Sequence, residues 1–298
     1  MSLYATPLRY PGGKQRLAPF VVELLCANKI LGGDYVEPYA GGAGVAIELL
    51  LENQVSRVHL NDSSYPVYAF WNSIVTCPEK LCRRIASASL TVEEWKKRRE
   101  IVRDPTNHAE EEVGFSVFYL NRCNRSGALT GGIIGGLEQT GKWKMDARFS
   151  RKELIRRIEA IATKKDAIVL RNWDAEKFIV EYIPSLPRDT FVYCDPPYYE
   201  KSSRLYLNRY KPEDHARIAE VIQSQLLHRW IVSYDNAAEI LRFYRERRQF
   251  VYDLQYSAAR VYKGKEIFIF SDDVLVPRSS SLKYIDVALQ ANARGLRI

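Results

Sequence analysis

An open α/β sheet with helices on both faces is predicted by three stretches of the 298-residue chain. Tyr35-Val36-Glu37 reads as a strand, passes through a glycine-rich turn from Pro38 to Gly44, and runs into an apolar helix from Val45 to Leu51. Strand, glycine turn and helix bring a nucleotide-like ligand against the carboxyl edge of a sheet. About 20 residues past the glycines, Arg57 to Asp62 reads as a second strand ending in an acid, placed to accept hydrogen bonds from ribose hydroxyls. The third stretch, Thr190 to Cys194, delivers Asp195, Pro196, Pro197, Tyr198 and Tyr199 to its C-terminal end. Two prolines in a row cannot continue a central strand, because each lacks an N–H and has a fixed φ. The chain leaves the sheet stiffly there, with a carboxylate, unpaired carbonyls and an aromatic face in one small volume. Those groups suit a planar base that carries an exocyclic amine.

Composition sets the class. Hydrophobic residues make up 46% and charged residues 27%, the balance of a globular chain with a substantial core. No apolar run approaches the roughly 18 residues of a membrane span, and no signal-peptide core precedes the first strand. Cys26, Cys77, Cys82, Cys123 and Cys194 form no C-x-x-C pair. With four scattered histidines they predict a reducing cytoplasm, no disulfide frame and no metal site. The net charge is +8, and its location is informative. Between Lys80 and Lys165 stand 19 Lys and Arg against 11 Asp and Glu, so this stretch carries the whole excess. A basic segment beside a neutral body fits a phosphate-facing module, although a solvated helical insert would share that composition.

In chain order, Leu8-Arg9-Tyr10-Pro11-Gly12-Gly13-Lys14 offers a tight turn beside a cation. Gln15 follows the lysine where a Walker loop would need Ser or Thr. The turn at Gly41, Gly42 and Gly44 departs from G-x-G-x-x-G and follows Glu37-Pro38, which favours an adenosine-plus-methionine ligand over a pyrophosphate. In the basic segment, Val92–Arg103 reads as a solvated helix and Phe115 to Leu120 as a buried one. After it come Asn121, Arg122, Asn124 and Arg125, then glycine pairs, then Lys142, Lys144 and Arg148. Asn and Arg make bidentate contacts to adenine and guanine edges, whereas the lysines and Arg148 suit phosphates. Capping and loop bracing is the equal alternative for Asn121 and Arg122. Beyond Tyr199, a polar aromatic loop with Lys201, Arg204, Tyr206 and Tyr210 could close over a base. A helix from His215 to Leu227, a strand from Arg229 to Asn236, a helix from Ala237 with an Arg-rich end at Arg248, and strands Phe250–Tyr256 and Glu266–Phe270 follow. Ser257 to Lys265 reads as a basic loop between the last two, and 273–298 shows no strong pattern.

Five motifs in one order, Pro11-Gly12-Gly13-Lys14, Glu37-Pro38 with Gly41-Gly42-Ala43-Gly44, Asn61-Asp62, Phe118 to Arg122 and Asp195-Pro196-Pro197-Tyr198, resemble the Dam-type (D12 class) DNA adenine-N6 methyltransferases. The resemblance spans residue 8 to about 272. It implies a Rossmann-like methyltransferase fold, a seven-stranded mixed sheet with helices on both faces, and S-adenosyl-L-methionine as methyl donor. The implied catalytic body is 1–75 with 166–298, and a mainly helical target-recognition insert occupies 76–165. Carried over residue by residue, Tyr10, Lys14, Glu37, Pro38, Gly41, Gly42, Asp62 and Asp195 fall on cofactor-contacting positions, and Asp174 on an acid near the cofactor adenine. Asp195, Pro196, Pro197 and Tyr198 fall on the catalytic loop. The implied partner is double-stranded DNA, with a cognate restriction endonuclease as a further candidate. After Asn121-Arg122 the chain departs from the family pattern with Arg125-Ser126-Gly127 where Phe-Asn-Gly is usual, so no recognition sequence transfers.

The groups themselves favour direct attack by an amine held between Asp195 and the Pro196 carbonyl, with Tyr198 stacked on the base. No Pro-Cys pair is present to supply the thiolate that cytosine-C5 methylation needs, and Cys194 is expected to face the sheet interior. Methylation of RNA or protein, an inactive DNA-binding homologue, and a nicotinamide dehydrogenase are the rival functions at this level.

Overall fold

The computed structural model describes residues 5–9, 14–200, 210–257 and 261–286. Among the described residues eight strands form one sheet: β1 (Asp34–Glu37), β2 (Arg57–Asn61), β3 (Ile168–Arg171), β4 (Phe191–Cys194), β5 (Arg229–Asp235), β6 (Arg248–Ser257), β7 (Val261–Phe270) and β8 (Tyr284–Asp286). Their spatial order is β3-β2-β1-β4-β5-β7-β6-β8. The first five run parallel, and β7 enters antiparallel between β5 and β6. The order reverses between β1 and β4, and at such switch points open sheets form their ligand crevice. The seven expected strands form a Rossmann-like methyltransferase sheet. The eighth is an addition: three residues pairing with β6, where Tyr284 stacks on Phe250 with ring centroids 4.8 Å apart.

Helices cover both faces. On one lie α1 (Ala18–Ala27), α2 (Gly44–Leu51) and α3 (Tyr65–Thr76); on the other lie α9 (Pro212–Gln225), α10 (Ala238–Phe243) and the turn Phe178–Tyr182 that continues the short α8 (Ala175–Lys177). Between α3 and β3 come α4 (Pro78–Ala86), α5 (Val92–Arg103), α6 (Glu110–Cys123) and α7 (Arg151–Ala162). Local chemistry sets their ends. Thr91 accepts the Glu94 N–H to cap α5, and α9 opens on Pro212 with two acids in its first turn. In α7, Leu154, Ile158 and Ile161 recur at helical spacing and are buried. Leu81 and Ile85 of α4, Trp95 of α5, Phe115 and Phe118 of α6 and Leu154 of α7 join the same apolar cluster as α1 and α2. The insert therefore shares its core with one face of the sheet.

Two local expectations give way. The helix begun near Ala237 ends at Phe243, so Arg245, Arg247 and Arg248 lie beyond it and Arg248 starts β6. The basic stretch read as a loop is mostly strand, because β6 continues to Ser257 and β7 starts at Val261.

Candidate active site at the strand ends

Asp195 leaves the end of β4, where its side chain keeps about a quarter of its surface exposed (26%). Its Oδ1 accepts the Ser233 hydroxyl at 2.5 Å and lies 3.2 Å from Lys14 Nζ. Ser233 comes from β5, and its Oγ lies 3.0 Å from the Tyr193 hydroxyl of β4. Lys14, at the start of a 3-10 turn Lys14–Leu17, also donates to Glu266 Oε2 of β7 at 2.5 Å. The same carboxylate accepts the Tyr252 hydroxyl at 2.5 Å and the Tyr198 hydroxyl at 2.6 Å. Five strands thus converge on one ammonium and two carboxylates, with Glu37 of β1 close enough to feel the Asp195 charge.

Burial raises the pKa of Asp195; Lys14 works against it, and Glu266 adds to it. Burial would raise Glu266 too, but Lys14 and the hydroxyl donors outweigh it and hold it low. Lys14 is pushed down by burial, yet the two carboxylates prevail and raise it. Glu266 is therefore the ionised partner of Lys14, and Asp195 takes a proton more readily.

The glycine turn adjoins this cluster. Gly41 and Ala43 adopt left-handed backbone (φ 46° and 43°), which closes the turn tightly at the head of α2, with the Ala43 N–H on the Ala40 carbonyl. Gly44 admits the Lys14 turn, since a Cβ there would press on Gln15 Cβ at 3.0 Å. Asp62, one residue past β2, accepts the Gly41 N–H at 2.9 Å and the Ser64 N–H at 2.9 Å. Burial lifts its pKa to about 6. Glu37 accepts the Ala46 N–H at 3.1 Å, and burial followed by the Asp195 charge lifts it to about 8. Asn61 ties the turns together by donating to the Pro38 and Trp173 carbonyls and accepting the Trp173 N–H. Asp235 ends β5 and receives the Tyr199 and Glu200 N–H groups, so the segment after the prolines is pinned at its start.

Not every sequence-predicted residue does what its type led one to expect. Tyr10 lies outside the described residues, as do Lys201, Arg204 and Tyr206. Tyr198 is only 2% exposed, its hydroxyl on Glu266 and the Lys14 ammonium 5.5 Å from its ring centre, so its face is not turned to solvent for stacking. Asp174 spends Oδ1 capping the three-residue α8. In the insert, Asn121 accepts the Arg9 N–H and donates both its hydrogens, to the Arg9 and Gly127 carbonyls. Asn124 accepts Trp95 Nε1–H and donates to the Ala128 and Leu129 carbonyls. Both amides brace the loop and have no hydrogen left for a base edge. Arg122 is nine-tenths buried with Nε unpartnered. Burial, then the neighbouring Arg9, Arg157 and Arg148, push it down to about 9. Arg125, Lys142 and Arg148 are exposed, while Lys144 donates to the Gln139 carbonyl.

Sequence reasoning missed Ser233, Tyr252 and Glu266. Glu266 was taken as the first residue of a strand, and only the β5–β7 register, which pairs Asp235 with Glu266, brings it to the site. An acid directly ahead of the apolar run Ile267 to Phe270 was the available signal. Among the described residues no group of three or more His, Cys, Asp or Glu could hold a metal, and no helix is long and apolar enough to cross a membrane.

A family model for the D12 class N6 adenine-specific DNA methyltransferases matches residues 10–259. No curated protein matches the chain. Two structures of the rRNA methyltransferase aviRa from Streptomyces viridochromogenes align over 89% of this chain and 88% of theirs, at 16% and 15% identity and a TM-score of 0.37.

Proposed function

The chain belongs to the D12 class of N6 adenine-specific DNA methyltransferases, and from that premise we propose that it methylates N6 of an everted adenine in double-stranded DNA, using S-adenosyl-L-methionine. The supporting observation is the pair of strand ends: a partly open Asp195 at β4 beside a glycine turn and Asp62 at β1 and β2. The cofactor fits the groups present. Asp62 has lone pairs left for ribose hydroxyls, and the Ser64 hydroxyl close by is buried without a partner. Glu37, Pro38, Gly41 and Gly42 line the turn that would hold the methionine end. Two carboxylates against the single Lys14 ammonium leave a formal negative charge that suits a cationic donor.

When bound, the donor supplies a methyl group on a sulfonium sulfur. The protein's task is the amine. The adenine lone pair is delocalised into the ring, and hydrogen bonds from its two N–H groups to Asp195 and the Pro196 carbonyl favour a pyramidal nitrogen. This is positioning with preorganised polar groups and no covalent enzyme intermediate. As the N–C bond forms and the S–C bond breaks, the nitrogen must shed one proton. Asp195, with its raised pKa, is placed to take it and pass it to water.

Everting a base costs a few kcal/mol, and one stacking contact returns about 1–3. Tyr198 is buried in this arrangement, so the insert carries much of the binding. The exposed Arg125, Lys142 and Arg148 would form the phosphate-facing set, with Lys144 bracing their loop. With a tritiated methyl donor, the chain is expected to label duplex DNA in preference to RNA. Asp195→Ala should lower that rate by at least about 100-fold at an unchanged melting temperature. Near-normal turnover by the folded variant refutes the assignment.

A further inference from the structure

Glu266 is fully buried, and its carboxylate takes three donors, Lys14, Tyr252 and Tyr198. A buried carboxylate is costly unless paired, and an apolar residue would fill this strand position at less cost. Direct attack by an amine needs one acceptor carboxylate, Asp195, so the site holds an acid that the proposed chemistry does not use.

Resting on the adenine-methylation reading, we infer that Glu266 is a positioning residue. By holding the Lys14 ammonium and the Tyr198 hydroxyl together, it keeps the Asp195 carboxylate open to the incoming amine. The distances carry the argument. Lys14 Nζ sits 2.5 Å from Glu266 but 3.2 Å from Asp195, and 3.2 Å from the Ser233 hydroxyl between them. Without the Glu266 charge, Lys14 has one carboxylate left. It closes on Asp195 Oδ1 and competes with the substrate N–H for that oxygen. Tyr198, immediately after the two prolines, loses the anchor of its hydroxyl at the same time.

The groups facing Asp195 are Lys14 from the N-terminal turn, Tyr35 and Glu37 from β1, Tyr193 from β4, Ser233 from β5, Tyr252 from β6 and Glu266 from β7. Of the two acids, Glu266 has the more direct effect: its negative charge keeps Asp195 high. Removing it should lower the Asp195 pKa.

The test uses the full chain, duplex DNA and the methyl donor. Glu266→Gln keeps the size but removes the charge and turns one acceptor oxygen into an N–H donor. We expect kcat to fall about 100-fold, the scale of a misplaced reacting group, with KM for DNA little changed. The acid limb of the kcat profile should move to lower pH. Glu266→Asp should restore part of kcat and leave the limb where the wild type has it. Glu266→Met, an apolar side chain of similar length that also removes the charge, should shift the limb in the same direction and serves if Glu266→Gln does not fold, whereas Tyr252→Phe leaves the charge in place and should not move the limb to lower pH. A folded Glu266→Gln enzyme with the wild-type acid limb overturns the inference, whatever its kcat, because a packing role would leave that limb alone. A wild type that methylates no adenine in duplex DNA overturns the functional reading and the inference with it.

Discussion

Lys14 and Arg122 are both buried cations, and their surroundings are opposite. Lys14 lies between two carboxylates, which raise its pKa against the pull of burial. Arg122 lies among Arg9, Arg148 and Arg157 and makes no ion pair among the described residues, and burial and these neighbours push it down to about 9. One charge is balanced within the protein. The other is left to be balanced by something that arrives. On the proposed function, the difference would separate a catalytic end, whose groups are paired before substrate binds, from an insert whose charge an anionic partner would complete.

The largest expected effect breaks the balanced side. Lys14→Met leaves the buried Glu266 and the partly open Asp195 without a cation, and breaking such a pair costs about 3–5 kcal/mol. Both acids would then have raised pKa values. Their penalty is present where they are ionised and shrinks as they take up protons, so the deficit in urea unfolding should be larger at pH 8 than at pH 5. A loss below about 1 kcal/mol at pH 8 would mean that Lys14 is not the counter-charge of this site.

A smaller effect tests whether the insert's asparagines read bases or hold the loop. Asn124→Ala strands the Trp95 indole N–H and the Ala128 and Leu129 carbonyls, each costing about 1–3 kcal/mol when buried without a partner. Trp95 and Ala128 are buried but Leu129 is only partly so, and the total loss should be about 2 kcal/mol, the lower end of that range for two groups. Sequencing of methylated adenines should show the same target preference for variant and wild type. A relaxed preference at undiminished stability would return Asn124 to the base-reading set.

The same contrast marks what was legible in the sequence. The strand, glycine turn and helix from Asp34 to Leu51 and the exit of β4 at Asp195-Pro196-Pro197 were readable, because glycine and proline act on the backbone within a few residues. Val92–Arg103 emerged with its expected bounds for a similar reason: Thr91 caps it and acids fill its first turn. Glu266 was hidden, since its meaning depends on β7 lying antiparallel to β5, a pairing between segments about thirty residues apart. β8 was hidden too, being three residues whose strand character comes from β6. Asn121 and Asn124 show a different limit. The side chains able to contact a base are equally able to satisfy loop carbonyls, and only the packing of Arg9 and Gly127 against α6 decides between these uses.

The smallest effect concerns the unbalanced charge itself, and its sign is unusual for a buried residue. Arg122→Met removes a guanidinium that is buried among three others and has Nε unpartnered, while keeping an unbranched chain in the space. The free protein should gain stability, seen as a higher unfolding midpoint at low salt, because the repulsion from Arg9, Arg148 and Arg157 is relieved. DNA affinity should fall about equally for all sequences, and the slope of log affinity against log salt should shrink, because one positive charge leaves the cluster next to the phosphates. The two measurements together decide what the cluster is for. Lower stability with an unchanged slope would make Arg122 a packing residue and remove the contrast with Lys14. Higher stability with a shallower slope would show that the insert holds its charges apart at a cost until a nucleic-acid backbone joins them.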